Sequence, residues 1–321
     1  MSHLVGDNKN QKFQIGLSLI LFALVISLAS CRKPEKVAAV NEPQKSFASA
    51  HEAGNALLEA AKSGNQASLL EIVGPNGREV LFTEDVVKDG NSLKDFAAAY
   101  ETMNRWGKIN AGGQMLYLGT ENFPFPIPLQ QNSSGQWYFN TGAGQDEILA
   151  RRIGKDELVA MAGVVALANA QEQYFNQAHP DKKQYAQKFV SEQAKHDGLY
   201  WSVSEGQAES PLGQLGDFAK GAGYTKSGEN PQPFNGYYFR ILTKQAATGH
   251  DSAKDYIVNG NMTDGFAILA YPAEYQNSGV MTFLIGKDGI LYQKDLGKGT
   301  VDTAVAITEY NPGDGWKPVN E

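Results

Sequence analysis

The residues best equipped for chemistry lie in one stretch, HDGLYW, His196 to Trp201. An imidazole, a carboxylate and, downstream, the Ser210 hydroxyl are the parts of a base, an orienting acid and a nucleophile. Such sets are defined by geometry, and neighbours in a chain rarely act as base and orienter for one another. The Asp-Gly turn followed by Tyr200 and Trp201 suggests another use. Their π faces and polar edges can stack on a sugar ring or a protein partner, or pin a long loop to the core. His196, Asp197, Tyr200 and Trp201 are thus the candidate ligand or partner surface, and no catalytic residue is assigned.

Other reactive patterns stop short. His51-Glu52 begins like HExxH, but Asn55 stands where the second histidine must be. There is no complete GxGxxG, no phosphate-binding loop and no GxSxG elbow. Asp251, Asp255, Asn259 and Asp264 offer oxygens to calcium but follow no known loop spacing. Neither a metal nor a cofactor is implied.

The chain holds one cysteine, Cys31. Lys9 and Lys12 precede a nearly apolar run, Ile15 to Ser30, shorter than the roughly 20 residues of a spanning helix. Basic start, apolar core and small residues make a secretory signal peptide over 1–30. Leu28-Ala29-Ser30-Cys31 resembles the lipobox of bacterial lipoproteins, where the thiol takes a diacylglycerol and the chain is cut before it. That resemblance implies lipid attachment at Cys31. Two or three acyl chains, at about 0.8 kcal/mol per buried methylene, anchor stably. An exported chain with no other thiol also avoids wrong disulfides. Arg32 in place of aspartate favours the outer membrane, facing the periplasm. Residues 31–45, polar with Pro34 and Pro43, read as a tether of about 40 Å if extended.

The formal charge is −7, with 42% hydrophobic and 20% charged residues. That composition supports a packed core. No basic block occurs, so nucleic-acid binding is not expected. An acidic chain needs its lipid, not its charge, to stay on a membrane.

The elements that must position these residues read as α+β, in two small domains with helices on an antiparallel sheet. In the first, 46–142, Ser49 and Glu52 have capping-box spacing before Ala53, Ala56, Leu57, Ala60 and Ala61. Further helices are expected over about 66–73 and 92–104, then strands over 115–118, 123–129 and 136–140. In FPFPIPL, Pro124, Pro126 and Pro128 remove donors along one edge, which suits a protected edge strand or a polyproline ligand. In the second, 143–321, a long helix is expected over 145–177, kinked or divided at Gly154. Arg151-Arg152 near its start can pair with carboxylates at the domain junction or bind an anion. An irregular stretch, 180–235, follows and is too long to be a passive connector. NGYYFRIL, KDYIVNG, GFAILAYP, VMTFLIG and ILYQKD then read as an antiparallel meander, with a hairpin at Lys287-Asp288-Gly289.

PFPIPL, ILARRIG, DGLYW, ESPLG, GYYFRIL, YPAEY, SGVMTFLIGKDG and QKDLG together resemble the bacterial envelope family catalogued as domain of unknown function 2950. The resemblance covers about 46–317 and carries no reaction or site residues. The long helix ending in NAQEQY, with GYYF and the TFLIGKDG hairpin, is more loosely similar to type IV pilin-like globular heads. The lipobox replaces a prepilin cleavage site, so filament formation is not implied. The leading expectation is a lipid-anchored envelope protein with a non-enzymatic role in assembly or protein interaction. The alternatives are a periplasmic glycan- or small-ligand-binding module and, behind it, an envelope hydrolase.

Overall fold

A computed structural model describes residues 44–74, 76–177, 183–192, 195–203, 209–213, 215–216, 232–247, 252–313 and 315–319. The stretch read as a signal peptide, Cys31, nearly all of the expected tether, Asp251 and much of the irregular stretch lie outside them. All described residues belong to one compact unit, Asn41–Glu321. Its fold is α+β. Among the described residues no helix is long and apolar enough to cross a membrane.

Four helices open the fold. In α1 (Ala50–Ser63) the Glu52 N–H donates to Ser49 Oγ at 3.1 Å, and Gly64, at φ +63°, ends the helix. The Glu52 carboxylate in turn accepts from the Ala48 N–H at 3.0 Å. The capping spacing thus sets where the helix starts, and His51-Glu52 is part of that turn. Helices α2 (Gln66–Val73) and α3 (Gly77–Leu81) follow. Helix α4 (Val86–Thr102) starts earlier than the pattern from Ser92 suggests, because Asp85 caps it by accepting from the Lys88 N–H at 2.9 Å.

The first sheet contains β1 (Asn104–Lys108), β2 (Gln114–Leu118), β3 (Phe123–Pro124), β4 (Leu129–Gln131) and β5 (Trp137–Phe139), in order β1-β2-β4-β5 with β3 also on β2. Strand β1 lies partly in the stretch read as the end of a helix. FPFPIPL is not one edge strand. Phe123 and Pro124 pair with Leu118 and Tyr117, the Phe125 N–H donates to Leu116 O at 2.8 Å, and pairing resumes at Leu129. Pro126 and Pro128 cannot donate, so the chain bulges between and turns Ile127 into the core. The strip is covered by α5 (Thr141–Gln177). Arg151 donates to Pro124 O at 3.2 Å and lies over the Phe123 ring. A Cβ on Gly144 would come within 2.3 Å of Pro126 O, so only glycine allows this approach.

Helix α5 runs 37 residues without a break at Gly154. Its first part packs Ile148 against the α1–α3 core, and its second packs Ala160, Val164, Leu167 and Ala168 against the main sheet. Gly154 is exposed, and a Cβ there meets nothing within 4 Å. Gly154→Ala is therefore expected to stabilise the protein by about 0.5–1 kcal/mol, read as a higher urea midpoint with unchanged slope.

Strand β6 (Tyr237–Leu242) leads into two small pairs, β7 (Lys244–Gln245) with β8 (Lys254–Asp255), and β9 (Ile257–Val258) with β10 (Asn261–Met262). KDYIVNG thus stays out of the main sheet. Asn259 and Gly260, at φ +51° and +81°, form a tight turn that returns the chain on itself. Strands β11 (Ala267–Pro272), β12 (Met281–Gly286), β13 (Leu291–Asp295) and β14 (Lys317–Pro318) complete an antiparallel sheet of order β14-β13-β12-β11-β6. The Lys287-Asp288-Gly289 turn joins β12 to β13. Ile268, Ala270 and Phe283 face α5, while Ala267, Leu269 and Leu284 face a final helix, Thr300–Ala306, and Tyr310. Arg240 secures that helix by donating to the carbonyls of Ala304 and Val305 at 2.9 and 3.0 Å.

Candidate functional site

The HDGLYW stretch is laid against residues 188–191. The Leu199 and Tyr200 N–H groups donate to Lys188 O and Phe189 O at 3.1 and 2.9 Å, and the Ser191 N–H donates to Tyr200 O at 2.9 Å. His196 has φ +53°, its carbonyl accepts from the Tyr174 hydroxyl at 3.1 Å, and its ring stacks on Trp201 with centroids 4.5 Å apart. Tyr200 and Trp201 are half-buried against the main core. Asp197 is turned elsewhere. Its carboxylate accepts from the Glu192 N–H at 2.8 Å and pairs with Lys188 Nζ at 2.9 Å. The Lys188 hydrogen bond is the main cause holding its carboxyl below the usual range. The structure thus joins His196 to Trp201, and Asp197 to Lys188 rather than to the imidazole. Ser210 Oγ and Trp201 Nε1 are buried without a hydrogen-bond partner among the described residues.

Of the acidic quartet, Asp255 accepts from the Ile257 N–H and Asp264 accepts from the Thr263 hydroxyl. Among the described residues no cluster of three or more His, Cys, Asp or Glu is arranged to hold a metal ion.

A second constellation lies where α4, α5 and the start of β6 meet. Asp85 accepts from the Lys88 N–H at 2.9 Å and, across the fold, from the Gly236 N–H at 3.1 Å. Lys88 Nζ forms an ion pair with Asp156, whose side chain is 1% exposed. Arg152 donates to the carbonyls of Glu79 and Val80 and to Asn277 Oδ1. Glu157 accepts from the Val280 and Met281 N–H groups at 2.9 and 3.0 Å. Asp89 accepts from the Thr83 N–H and hydroxyl at 2.7 and 2.9 Å. Sequence reasoning noted only Arg151-Arg152 here. Lys88, Asp89 and Asp156 look like ordinary helix-surface charges, and nothing local marks them as buried.

Burial dominates the electrostatics of this hub. It pushes the Asp156 carboxyl up to about 6, against the pull of Lys88 and Arg152. It lowers the Lys88 ammonium despite Asp156, and raises Asp89 and Glu274. Folded Asp156 therefore holds its proton more tightly than an unfolded carboxyl near 3.8. Its stabilising contribution is full below about pH 3.8 and is lost as pH rises through about 6. Between pH 4 and 7 the wild type should lose about 2–3 kcal/mol more than Asp156→Asn. Urea unfolding across that range tests this. Parallel pH curves for the two proteins would contradict it.

Beside the hub is a cavity of about 290 Å³. It is polar where Lys88 meets Asp156, with Asp89, Arg151, Arg152 and Lys155 on its lining. It is apolar where Leu57, Leu69, Leu93, Phe96, Phe125 and Ile148 close it. The gradient follows from the helices. Along α4 the lining passes from Lys88 to Phe96, and along α5 from Asp156 back to Ile148.

The molecule is thus an α+β protein with two five-stranded antiparallel sheets among its described residues, a helix common to both cores, and an amphipathic cavity next to a buried charge hub. A family model described as "Protein of unknown function (DUF2950)" matches residues 44–319, and the chain belongs to that family. No curated protein and no solved structure gives a match.

Proposed function

We propose that this protein is a lipid-anchored cell-envelope protein, held through Cys31, whose folded body is a non-enzymatic binding module for a small ligand. The observation that carries the binding role is the amphipathic cavity, apolar where Leu57, Leu69, Phe96 and Ile148 line it and charged where Lys88 and Asp89 of α4 meet Arg152, Lys155 and Asp156 of α5. Perturbed acids and bases gather at the same place. The anchor rests on the lipobox and the apolar run before it. Native mass spectrometry of the full chain from its own membranes tests the binding role. A small molecule retained by the wild type and lost in Leu93→Trp, which fills the cavity, supports it. Equal retention in both proteins removes it. Cys31→Ala should leave an uncut precursor without lipid, and normal maturation of that variant would sink the anchor.

A second reading is a protein-interaction role in envelope assembly. Leu158 and Val165, 65% and 40% exposed, stand on one outer stripe of α5 with Ala162. In-cell crosslinking that captures a specific partner, lost in Leu158→Glu, would favour this role over the first.

A further inference from the structure

We propose that the cavity beside the charge hub takes an anionic amphiphile, a carboxylate with a short acyl chain, its head at Arg151 and Lys155 and its tail along Leu69, Phe96 and Ile148. The inference rests on the binding role above and names its ligand class. Its first support is charge. Lys88, Arg151, Arg152 and Lys155 line the cavity, against only Asp89 and Asp156. Asp156 is engaged with Lys88, and Asp89 accepts two hydrogen bonds from Thr83. Arg152 is committed to the carbonyls of Glu79 and Val80. Lys155 makes no ion pair or hydrogen bond among the described residues. Arg151 pairs with Glu147 through Nε and reaches Pro124 O through Nη1. Glu147 already balances Arg151, so Lys155 is the lining cation left without an acid partner among the described residues, and it stands where a ligand head can meet it, with Arg151 beside it.

The second support is shape and polarity. A space of about 290 Å³ is at the lower end of small-molecule sites and suits a short chain with its head group. Its far end, closed by leucine, isoleucine and two phenylalanines, offers no row of donors for a sugar. An apolar chamber of this kind favours hydrocarbon over water. A neutral hydrocarbon would leave the cationic end unmatched, and a compact inorganic anion would leave the apolar end empty.

The test uses the full lipidated chain in phosphatidylcholine nanodiscs, with empty nanodiscs as the background for partitioning. Hexanoate, octanoate, decanoate and decanol are titrated by calorimetry. Saturable binding of one decanoate per chain is expected, tightening about fourfold per methylene from hexanoate upward. Decanol should bind at least tenfold more weakly. Lys155→Glu, an exposed position, should abolish the preference for decanoate over decanol while leaving the unfolding midpoint within the wild-type range. Leu93→Trp should remove the chain-length dependence. Decanoate uptake no greater than in empty nanodiscs would overturn the proposal, as would equal binding of decanol. A neutral native ligand lost in Leu93→Trp, with no decanoate binding, would overturn this ligand class and leave the binding role standing.

Discussion

Lys88→Met is expected to lower the unfolding free energy by about 3–5 kcal/mol at pH 7.5. The cost does not come from losing an attraction of that size. It comes from Asp156, 1% exposed, left without its counter-charge. Arg152 lies close enough to lower the Asp156 carboxyl, but its hydrogen bonds go to Glu79 O, Val80 O and Asn277. Asp156 can escape by taking a proton, and without Lys88 to lower it its carboxyl titrates above the wild-type value of about 6, so the loss should shrink as pH falls toward 6 and level off below that. Lys88→Met combined with Asp156→Leu should recover most of the loss, because no buried charge then lacks a partner. Urea unfolding of the three variants measures this. A loss under about 1 kcal/mol in the single variant would mean that water reaches the pair.

Phe283→Ala should cost a similar amount, about 3–5 kcal/mol, through a cavity between α5 and the main sheet. Its side chain is 1% exposed, and the ring lies 6.0 Å from that of Tyr237. The more informative readout is distant. Phe283 and helices α1 and α2 belong to different core clusters, yet α5 carries Ile148 into the one and Val164 into the other. Hydrogen exchange of the variant should therefore show α1 and α2 losing protection together with β12. Unchanged protection in α1 and α2 would instead place an energetic boundary near residue 142, as two separate domains require.

The α+β class was legible because each half carries its own period. Ser49 and Glu52 fix α1 by a local hydrogen-bond pair, so spacing alone finds it. Strand β1 is different. NRWGK has one large apolar residue and no alternation, and it is a strand only because β2 offers it a partner. The first turn of α5, Thr-Gly-Ala-Gly, reads as a loop. It is helical because the Thr141 hydroxyl donates to Val73 O and Gly144 fits against Pro126. At the candidate sites the limits are sharper. The aromatics of HDGLYW were visible, but Asp197 turning to Lys188 was not, since Lys188 lies in another segment. Arg151-Arg152 was noticed as a pair. Both members line the cavity, but their hydrogen bonds diverge, Arg152 holding the α3 carbonyls and Arg151 reaching Glu147 and Pro124 O. The acid opposite them, Asp156, is defined only by the packing of α4 on α5.

The helix common to both cores also imposes an order in time. A chain made from its N-terminus presents residues 46–140 first. Their core remains open until Ile148 arrives, and the α3 carbonyls wait for Arg152. The rest of α5 then emerges with Ala160, Val164 and Leu167 facing nothing, because their partners Phe239, Ile268 and Phe283 lie far downstream. Until β12 is made, that apolar stripe is a stretch for chaperones to shield.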